Sequence, residues 1–285
     1  RLDRPVAIKV MTPQYAADPT FLMRFEREAR AAAKLDNPHV VGVFDQGRDG
    51  DNVFLIMELV KGGTLRDVIH EQGTLSLRAA LSVLEPVLDA LAAAHREGLV
   101  HRDVKPENVL ISARGEVKVA DFGLVRAVTS TTVATGDVIL GTVAYLSPEQ
   151  VETGASDERS DVYSAGVLGF EMLTGHPPFT GDNALSVAYQ HVHSDVPRLS
   201  EVAPQVPAAI AAVIEMATSR DPLGRPANAG EFLQRLRGAR LHQGLSLGAV
   251  PVPRAAVAQR PARPAGRSAG HTAIQPAGHQ TTTPA

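Results

Sequence analysis

The chain has 285 residues, 44% of them hydrophobic, with a formal net charge of −3 and no cysteine. Disulfides and cysteine-based metal centres are therefore excluded, and no basic excess argues for a nucleic-acid partner. No apolar run reaches the roughly 18 residues that a membrane helix needs, and no charged-then-apolar leader opens the chain.

Arg1 leads almost directly into the alternating run Val6, Ile8, Val10, which predicts a half-buried strand. A chain that starts this way is expected to be a piece of a longer one. Asp18-Pro19 predicts a helix start, with Asp as N-cap and Pro at the first helical position. Residues 40–46 and 52–59 predict two strands joined at Asp49-Gly50, a strong hairpin signal between apolar runs. After Lys61-Gly62-Gly63 the pattern turns helical. Leu77, Leu81, Leu84, Leu88 and His95 fall on one helical face, and Pro86 is expected to kink that helix or mark its restart. A strand-rich part, residues 1–60, thus precedes a mainly helical part, residues 61–237. This is an α+β layout with a cleft expected between the two.

Composition shifts near residue 238. No Asp or Glu follows, and Arg240, Arg254, Arg260, Arg263 and Arg267 sit among Pro, Ala, Gly, Gln and Thr. Such a segment has little apolar surface to offset its ordering entropy, so 238–285 is expected to be a disordered basic linker. It would serve either as a passive tether or as a segment lying near an anionic membrane surface.

Three features carry chemistry. Glu28 shares the inward stripe of Phe21, Phe25, Ala32 and Leu35 on its helix. A carboxylate facing a core is costly unless paired, so either Lys9 on the preceding strand neutralises it or it reaches water at the edge of the stripe. Next, His101, Arg102, Asp103, Lys105, Glu107 and Asn108 crowd between apolar runs, and Pro106 stops a helix from continuing through them. Asp103 can orient a hydroxyl and accept its proton, Lys105 can balance phosphate charge, and Asn108 offers an oxygen to Mg²⁺. The alternative is a solvated turn. Finally, Asp121-Phe122-Gly123 at a strand end puts a carboxylate beside a flexible joint.

Taken together, Lys9 on a strand, Glu28 on the next helix, the loop from His101 to Asn108 and then Asp121-Phe122-Gly123 follow the order and spacing of the kinase template. Here the sequence resembles the protein kinase family, from about residue 5 to 237. Ser147-Pro148-Glu149 stands where that family usually has Ala-Pro-Glu. Asp161 resembles its buried helix Asp that supports the catalytic loop, and Arg225 its Arg that pairs with Glu149. Lys105, two residues after Asp103, with Gly141-Thr142 later, is similar to the Ser/Thr pattern. The runs Tyr145 to Gln150 and Ser160 to Ser164 are similar to bacterial (Hanks-type) Ser/Thr kinases of the Pkn group.

The resemblance implies a bilobal kinase fold and ATP-dependent transfer to Ser or Thr hydroxyls of protein substrates. In it Lys9, positioned by Glu28, holds the α/β-phosphates, and Asn108 and Asp121 bind Mg²⁺ (or Mn²⁺). Asp103 orients the hydroxyl and Lys105 steadies the γ-phosphate. Met57 is then the gatekeeper, Glu58 and Val60 offer hinge backbone groups to adenine, and Ala7 and Leu110 sandwich the ring. His101, Arg102, Phe122, Gly123, Glu149, Asp161 and Arg225 are structural supports. The loop 124–147 is implied to be an activation segment, with Thr132 and Thr135, then Thr131, as phosphorylation candidates. A phosphate there would pair with Arg102 and order the loop. The resemblance also implies a homodimer for trans-autophosphorylation. It further implies a cytoplasmic placement on a protein with a single membrane helix. The glycine-rich phosphate loop and first two strands, expected just before Val6, are missing, so the N-lobe reads as truncated. The chain as it stands is expected to bind ATP weakly, with its 6–10 strand an unpaired edge. Intact Lys9, Asp103, Asn108 and Asp121 favour an enzyme over a pseudokinase that binds without catalysis. Ser147-Pro148-Glu149 disfavours a small-molecule kinase.

Overall fold

The computed structural model describes residues 4–11, 19–50, 52–122, 143–254 and 256. The first lobe is a three-stranded antiparallel sheet with a helix on it. Strand β1 (Val6–Val10) pairs with β3 (Asn52–Glu58), which pairs with β2 (Val43–Asp49), in the order β1-β3-β2. The β2–β3 hairpin turns through Gly50 at φ +57°, a left-handed conformation that glycine adopts without strain. Helix α1 (Pro19–Ala32) lays Phe21, Phe25 and Ala29 onto Val53 and Leu55 of β3, which forms this lobe's own small core. Asp18, the expected N-cap, lies outside the described residues. As expected, β1 is an edge of its sheet, and Ile8 and Val10 are exposed on it.

The second lobe is helical. A short strand, β4 (Gly62–Thr64), pairs with β5 (Val109–Ser112), and β5 pairs with β6 (Val117–Val119). The helical pattern after Gly63 therefore begins one residue after this strand. At Gly62 a Cβ would overlap the Ile111 carbonyl, so only glycine permits that pairing. Helix α2 (Leu65–Gln72) starts from a capping box of Thr64 and Asp67. Helix α3 (Leu77–Arg96) runs through Pro86, and no restart occurs there. The predicted stripe is buried apart from the half-buried Leu77, but Ala80, Val83, Val87, Ala90 and Leu91 are buried too. A helix covered on all sides shows no polar face to read. Packing holds it in place, which also explains why Pro86 is tolerated.

Beside α3 packs α5 (Glu158–Thr174), preceded by α4 (Pro148–Thr153). Buried continuously from Ser160 to Leu173, α5 is the axis of the lobe. Around it lie α6 (Ala184–His193), α7 (Leu199–Val202), α8 (Ala208–Ala217) and α9 (Ala229–His242). The lobes are tied by Val41 N–H to Val119 O (2.9 Å), Val119 N–H to His39 O (2.7 Å) and the ion pair Lys118–Glu58 (3.0 Å).

The composition boundary at 237 does not end the packed fold. Helix α9 continues to His242, and Arg237 and Arg240 both reach the buried Glu85 of α3, at 3.1 and 2.6 Å. Beyond it, Gly248 N–H bonds Arg78 O, Val250 and Val252 pack on the core, and Arg254 N–H meets the Glu71 carboxylate. A few well-placed apolar groups and a buried carboxylate in need of partners hold a stretch whose composition alone suggests a linker.

A second cluster joins residues 143–146 to α5 and α6. In it His191 is fully buried, edge-on to Phe179, and shares a hydrogen bond with the Tyr163 hydroxyl at Nδ1 (2.8 Å). Burial pushes its imidazole down to about 4, partly offset by the neighbouring Ala144 backbone. The unfolded chain binds a proton near the ordinary value of about 6.5, which the native state refuses. Stability from this site is thus complete above pH 6.5 and lost as pH falls towards 4, by up to about 3 kcal/mol. Thermal unfolding of wild type and His191→Gln between pH 7.5 and 4.5 checks this. The variant should show the shallower decline, and parallel curves would refute the assignment.

Candidate active site

The loop after α3 is held from beneath by one carboxylate. Asp161, in the first turn of α5 and 1% exposed, accepts the backbone N–H groups of His101 (2.7 Å) and Arg102 (2.8 Å). His95 of α3 adds a third bond from Nε2, at 2.9 Å. Its Nδ1 accepts the Ala229 N–H, which fixes the proton on Nε2. Arg102 is thereby kept at φ +70°, a conformation that a non-glycine residue holds only when its surroundings enforce it.

From this anchor the remaining groups follow. His101 Nδ1 accepts the Asp103 N–H (3.2 Å), so its Nε2–H donates to Ala120 O (2.9 Å) and joins the loop to the end of β6. Its ring meets Phe122 edge-on. Asp103 Oδ2 receives both Lys105 Nζ (2.8 Å) and Asn108 Nδ2 (3.0 Å), and Nδ2 also donates to Asp103 O. With its NH₂ engaged, the Asn108 amide has its oxygen left as the acceptor. The polar run is therefore a built cluster rather than a solvated turn.

Lys9 of β1 reaches across the cleft to Asp121 Oδ2 (2.8 Å), and Asp121 itself has φ +65°. The expected Lys9–Glu28 pair is not formed among the described residues. Glu28, 6% exposed on α1, instead bonds Arg102 Nη1 at 3.1 Å. Glu28 is thus buried and paired, as the cost of a buried carboxylate requires, but with a cation on the other lobe. The second nitrogen-bearing arm, Arg102 Nε, is buried without a hydrogen-bond partner among the described residues.

Around the cleft, Ala7 and Met57 are register partners on β1 and β3, and Leu110 lies half-buried on β5 opposite Thr64 and Lys118. Val60 is half-buried between β3 and β4. The Glu58 N–H is committed to Gly42 O (2.8 Å) and its carboxylate to Lys118, which narrows what Glu58 can offer a ligand. Gly123, Thr131, Thr132 and Thr135 lie outside the described residues. Farther off, Arg225 grips Glu149 with both Nη atoms (2.8 and 3.0 Å), and Ser160 Oγ donates to the same carboxylate (2.7 Å). Burial alone would raise the Glu149 carboxyl, but the Arg225 and Ser160 bonds more than reverse this and hold it below the ordinary carboxylate value.

Sequence reasoning missed several supports. Gln150 Nε2 donates to Arg102 O (3.0 Å), which ties α4 to the loop. His95 was legible only as core. Arg66 joins Glu107 (2.8 Å) and Glu171 (2.7 Å), partners 41 and 105 residues away, so no local signal marks it.

Among the described residues no group of three His, Cys, Asp or Glu side chains could hold a metal ion. Asp121 and Asn108 supply two hard oxygen donors, which fits Mg²⁺ or Mn²⁺ only where phosphate oxygens or waters complete the shell.

Residues 2–236 match the family described as protein kinase domain. The chain is 55% identical over 262 residues to the serine/threonine-protein kinase PknL of Mycobacterium tuberculosis, covering 92% of this chain and 66% of PknL. It is 42% identical to the serine/threonine-protein kinase PrkC of Bacillus subtilis, covering 79% of this chain and 35% of PrkC. It therefore spans just under two thirds of the length of the first of these relatives and about a third of the second. The crystal structure of the M. tuberculosis PknI kinase domain superposes with a TM-score of 0.65 at 27% identity, over 82% of this chain and 84% of that one. The chain belongs to the protein kinase family.

Proposed function

We propose that the protein is an ATP-dependent Ser/Thr protein kinase assisted by Mg²⁺ or Mn²⁺. The observation that carries this is the cluster at Asp103: a buried carboxylate oriented by Lys105 and Asn108, on a loop anchored by Asp161 and joined through His101 to Ala120, the neighbour of the Asp121 that pairs with Lys9. Lys105 and Asn108 both hold Oδ2, which leaves the other oxygen of Asp103 to receive and orient a substrate hydroxyl and its proton. Lys105 then offers its charge to the phosphoryl group in flight, and Lys9 to the phosphates behind it. A divalent cation on Asp121 and Asn108 would neutralise charge between the transferring and leaving phosphates.

Lys9–Asp121 and Glu28–Arg102 satisfy four charges in two pairs. Nucleotide phosphates compete for Lys9, and a phosphothreonine at Thr132, Thr135 or Thr131 competes for Arg102, whose buried Nε is a donor for it. Both competitions favour a Lys9–Glu28 pair. Adenine would lie against Ala7, Leu110 and the backbone around Met57, Glu58 and Val60. We further propose a kinase homodimer that phosphorylates in trans, on the cytoplasmic side of a membrane-anchored protein. Among the described residues no helix is long and apolar enough to cross a membrane.

The test is incubation of the full-length protein with ATP and either cation, followed by mass-spectrometric mapping of phosphosites. Phosphothreonine between residues 129 and 135 is expected. No incorporation with either cation, into itself or a generic protein substrate, would overturn the reading.

A further inference from the structure

The run from Leu245 to Ala256 leaves α9 and crosses the second lobe, with polar contacts towards both ends and apolar ones between. Near α9, Leu245 N–H bonds Arg240 O (3.1 Å), and Arg240 Nη1 donates to Leu245 O (3.0 Å). In the first turn of α3, Arg78 donates from Nε to Ser246 O (3.0 Å) and from Nη2 to Ser246 Oγ, and Gly248 N–H returns to Arg78 O (3.0 Å). Val250 and Val252 then pack on the core, beside Gly115 in the turn between β5 and β6. Finally Arg254 N–H reaches the Glu71 carboxylate of α2 (3.0 Å), Ala256 N–H closes on Pro253 O (3.0 Å), and Ala256 is fully buried. Ordering this run costs backbone entropy, which contacts along its whole length offset.

What the run rests against is the weakest strand of its sheet. β4 has three residues and is an edge, paired with β5 alone. Gly62 and Gly63 give it no side chains with which to hold its place. Its neighbours do that instead: a Cβ at Gly63 would stand 3.0 Å from Pro253 and 3.0 Å from Asp67 Oδ2, so these two groups wall the strand in. The strand matters because of what it joins. Val60 and Lys61 run straight into it, Ala113 N–H bonds Lys61 O (2.9 Å), and Thr64 is the register partner of Leu110. A shift of β4 therefore moves both the backbone at Val60 and the partner of Leu110, two of the groups against which adenine is proposed to lie.

We infer that residues 245–256 are a strap that braces β4 and the β5–β6 turn from outside the nucleotide site, and that Val250, Val252 and Pro253 thereby position Val60 and Leu110 for adenine. The inference rests on the protein kinase reading and adds remote supports to its nucleotide site. None of the three touches a reacting group, so they are positioning residues.

Coupling of this kind is reciprocal: a strap that favours bound adenine is itself tightened by it. Amide hydrogen exchange of the full-length wild type, with and without a saturating non-hydrolysable ATP analogue and Mg²⁺, reads this. The Gly248 and Arg254 amides should exchange about 5-fold more slowly with nucleotide. Those of Gln243 and Gly244, bonded only within the end of α9, should not change. The second measurement uses Gly248→Val, whose side chain would meet Arg78 and Ala79 at 3.1–3.2 Å and lift the strap from α3. It should raise KM for ATP about 5-fold with kcat and the KM for a peptide substrate unchanged, since it removes binding common to ground and transition states. A merely structural defect would lower the active fraction and leave KM where it is. If Gly248→Val fails to fold, the wild-type exchange decides the matter. Nucleotide that leaves Gly248 and Arg254 unchanged, or slows all four amides alike, overturns the strap's role while leaving the kinase intact. So does a variant whose strap amides exchange faster but whose KM for ATP is that of wild type. Wild type that binds no nucleotide and phosphorylates nothing overturns the kinase reading instead.

Discussion

Asp103→Asn is expected to lower phosphoryl transfer by about 10²–10⁴-fold, the range for removing a positioned general base, while leaving the folded structure in place. The separation of the two effects comes from the geometry. Asparagine has the shape of aspartate and keeps one oxygen, which can still accept from Lys105 Nζ and Asn108 Nδ2 where Oδ2 now does. The hydrogen bond from the Asp103 backbone N–H to His101 Nδ1 is unaffected. What is lost is the negative charge and the oxygen that faces the hydroxyl, which an amide NH₂ would replace with a donor. Rates of autophosphorylation and of peptide phosphorylation, measured beside a thermal unfolding curve, check both halves. Full residual activity in a folded variant would remove Asp103 from the mechanism. Lost activity with a collapsed unfolding curve would make it a structural residue.

The loop was legible because its chemistry is contiguous. Asp103, Lys105 and Asn108 lie within six positions, so they can meet in one small volume whatever the rest of the chain does. The Ser147-Pro148-Glu149 and Arg225 pair was legible for a different reason. Glu149 and Arg225 lie 76 residues apart, and only the resemblance to a family in which the two pair named them. What could not be read was the partner of Glu28. The sequence pointed to Lys9 or to water, and the structure pairs Glu28 with Arg102, held in its left-handed turn on the other lobe. That placement is not a property of the residues near Glu28. The segment after residue 237 fails in the same way, because Glu85, the group that holds Arg237 and Arg240, lies about 150 residues earlier.

Asp161→Ala should be the more damaging change, and for a reason that begins with the fold. Its carboxylate is buried and accepts three donors, two of them backbone N–H groups of the loop. Alanine leaves those donors buried and unpaired, at about 1–3 kcal/mol each. Set against a total stability of about 5–15 kcal/mol, that is a large share, so the variant should be much closer to unfolding than Asp103→Asn. The functional loss should exceed what stability alone predicts. Arg102 at φ +70° holds a conformation costing about 1–3 kcal/mol, and Asp161 is what enforces it. Released, Arg102 would relax, and with it the direction in which Asp103, the next residue, points. Asp161→Asn separates the two effects. Its amide can accept one N–H but turns an NH₂ towards the other, so it recovers part of the stability and little of the loop geometry. Hydrogen exchange at the His101 and Arg102 amides, measured with activity at a temperature where the variant remains folded, distinguishes the cases. Faster exchange at these two amides alongside lost activity is the expected result. Lost activity with wild-type protection there would mean that Asp161 acts on the reaction by another route than holding this loop.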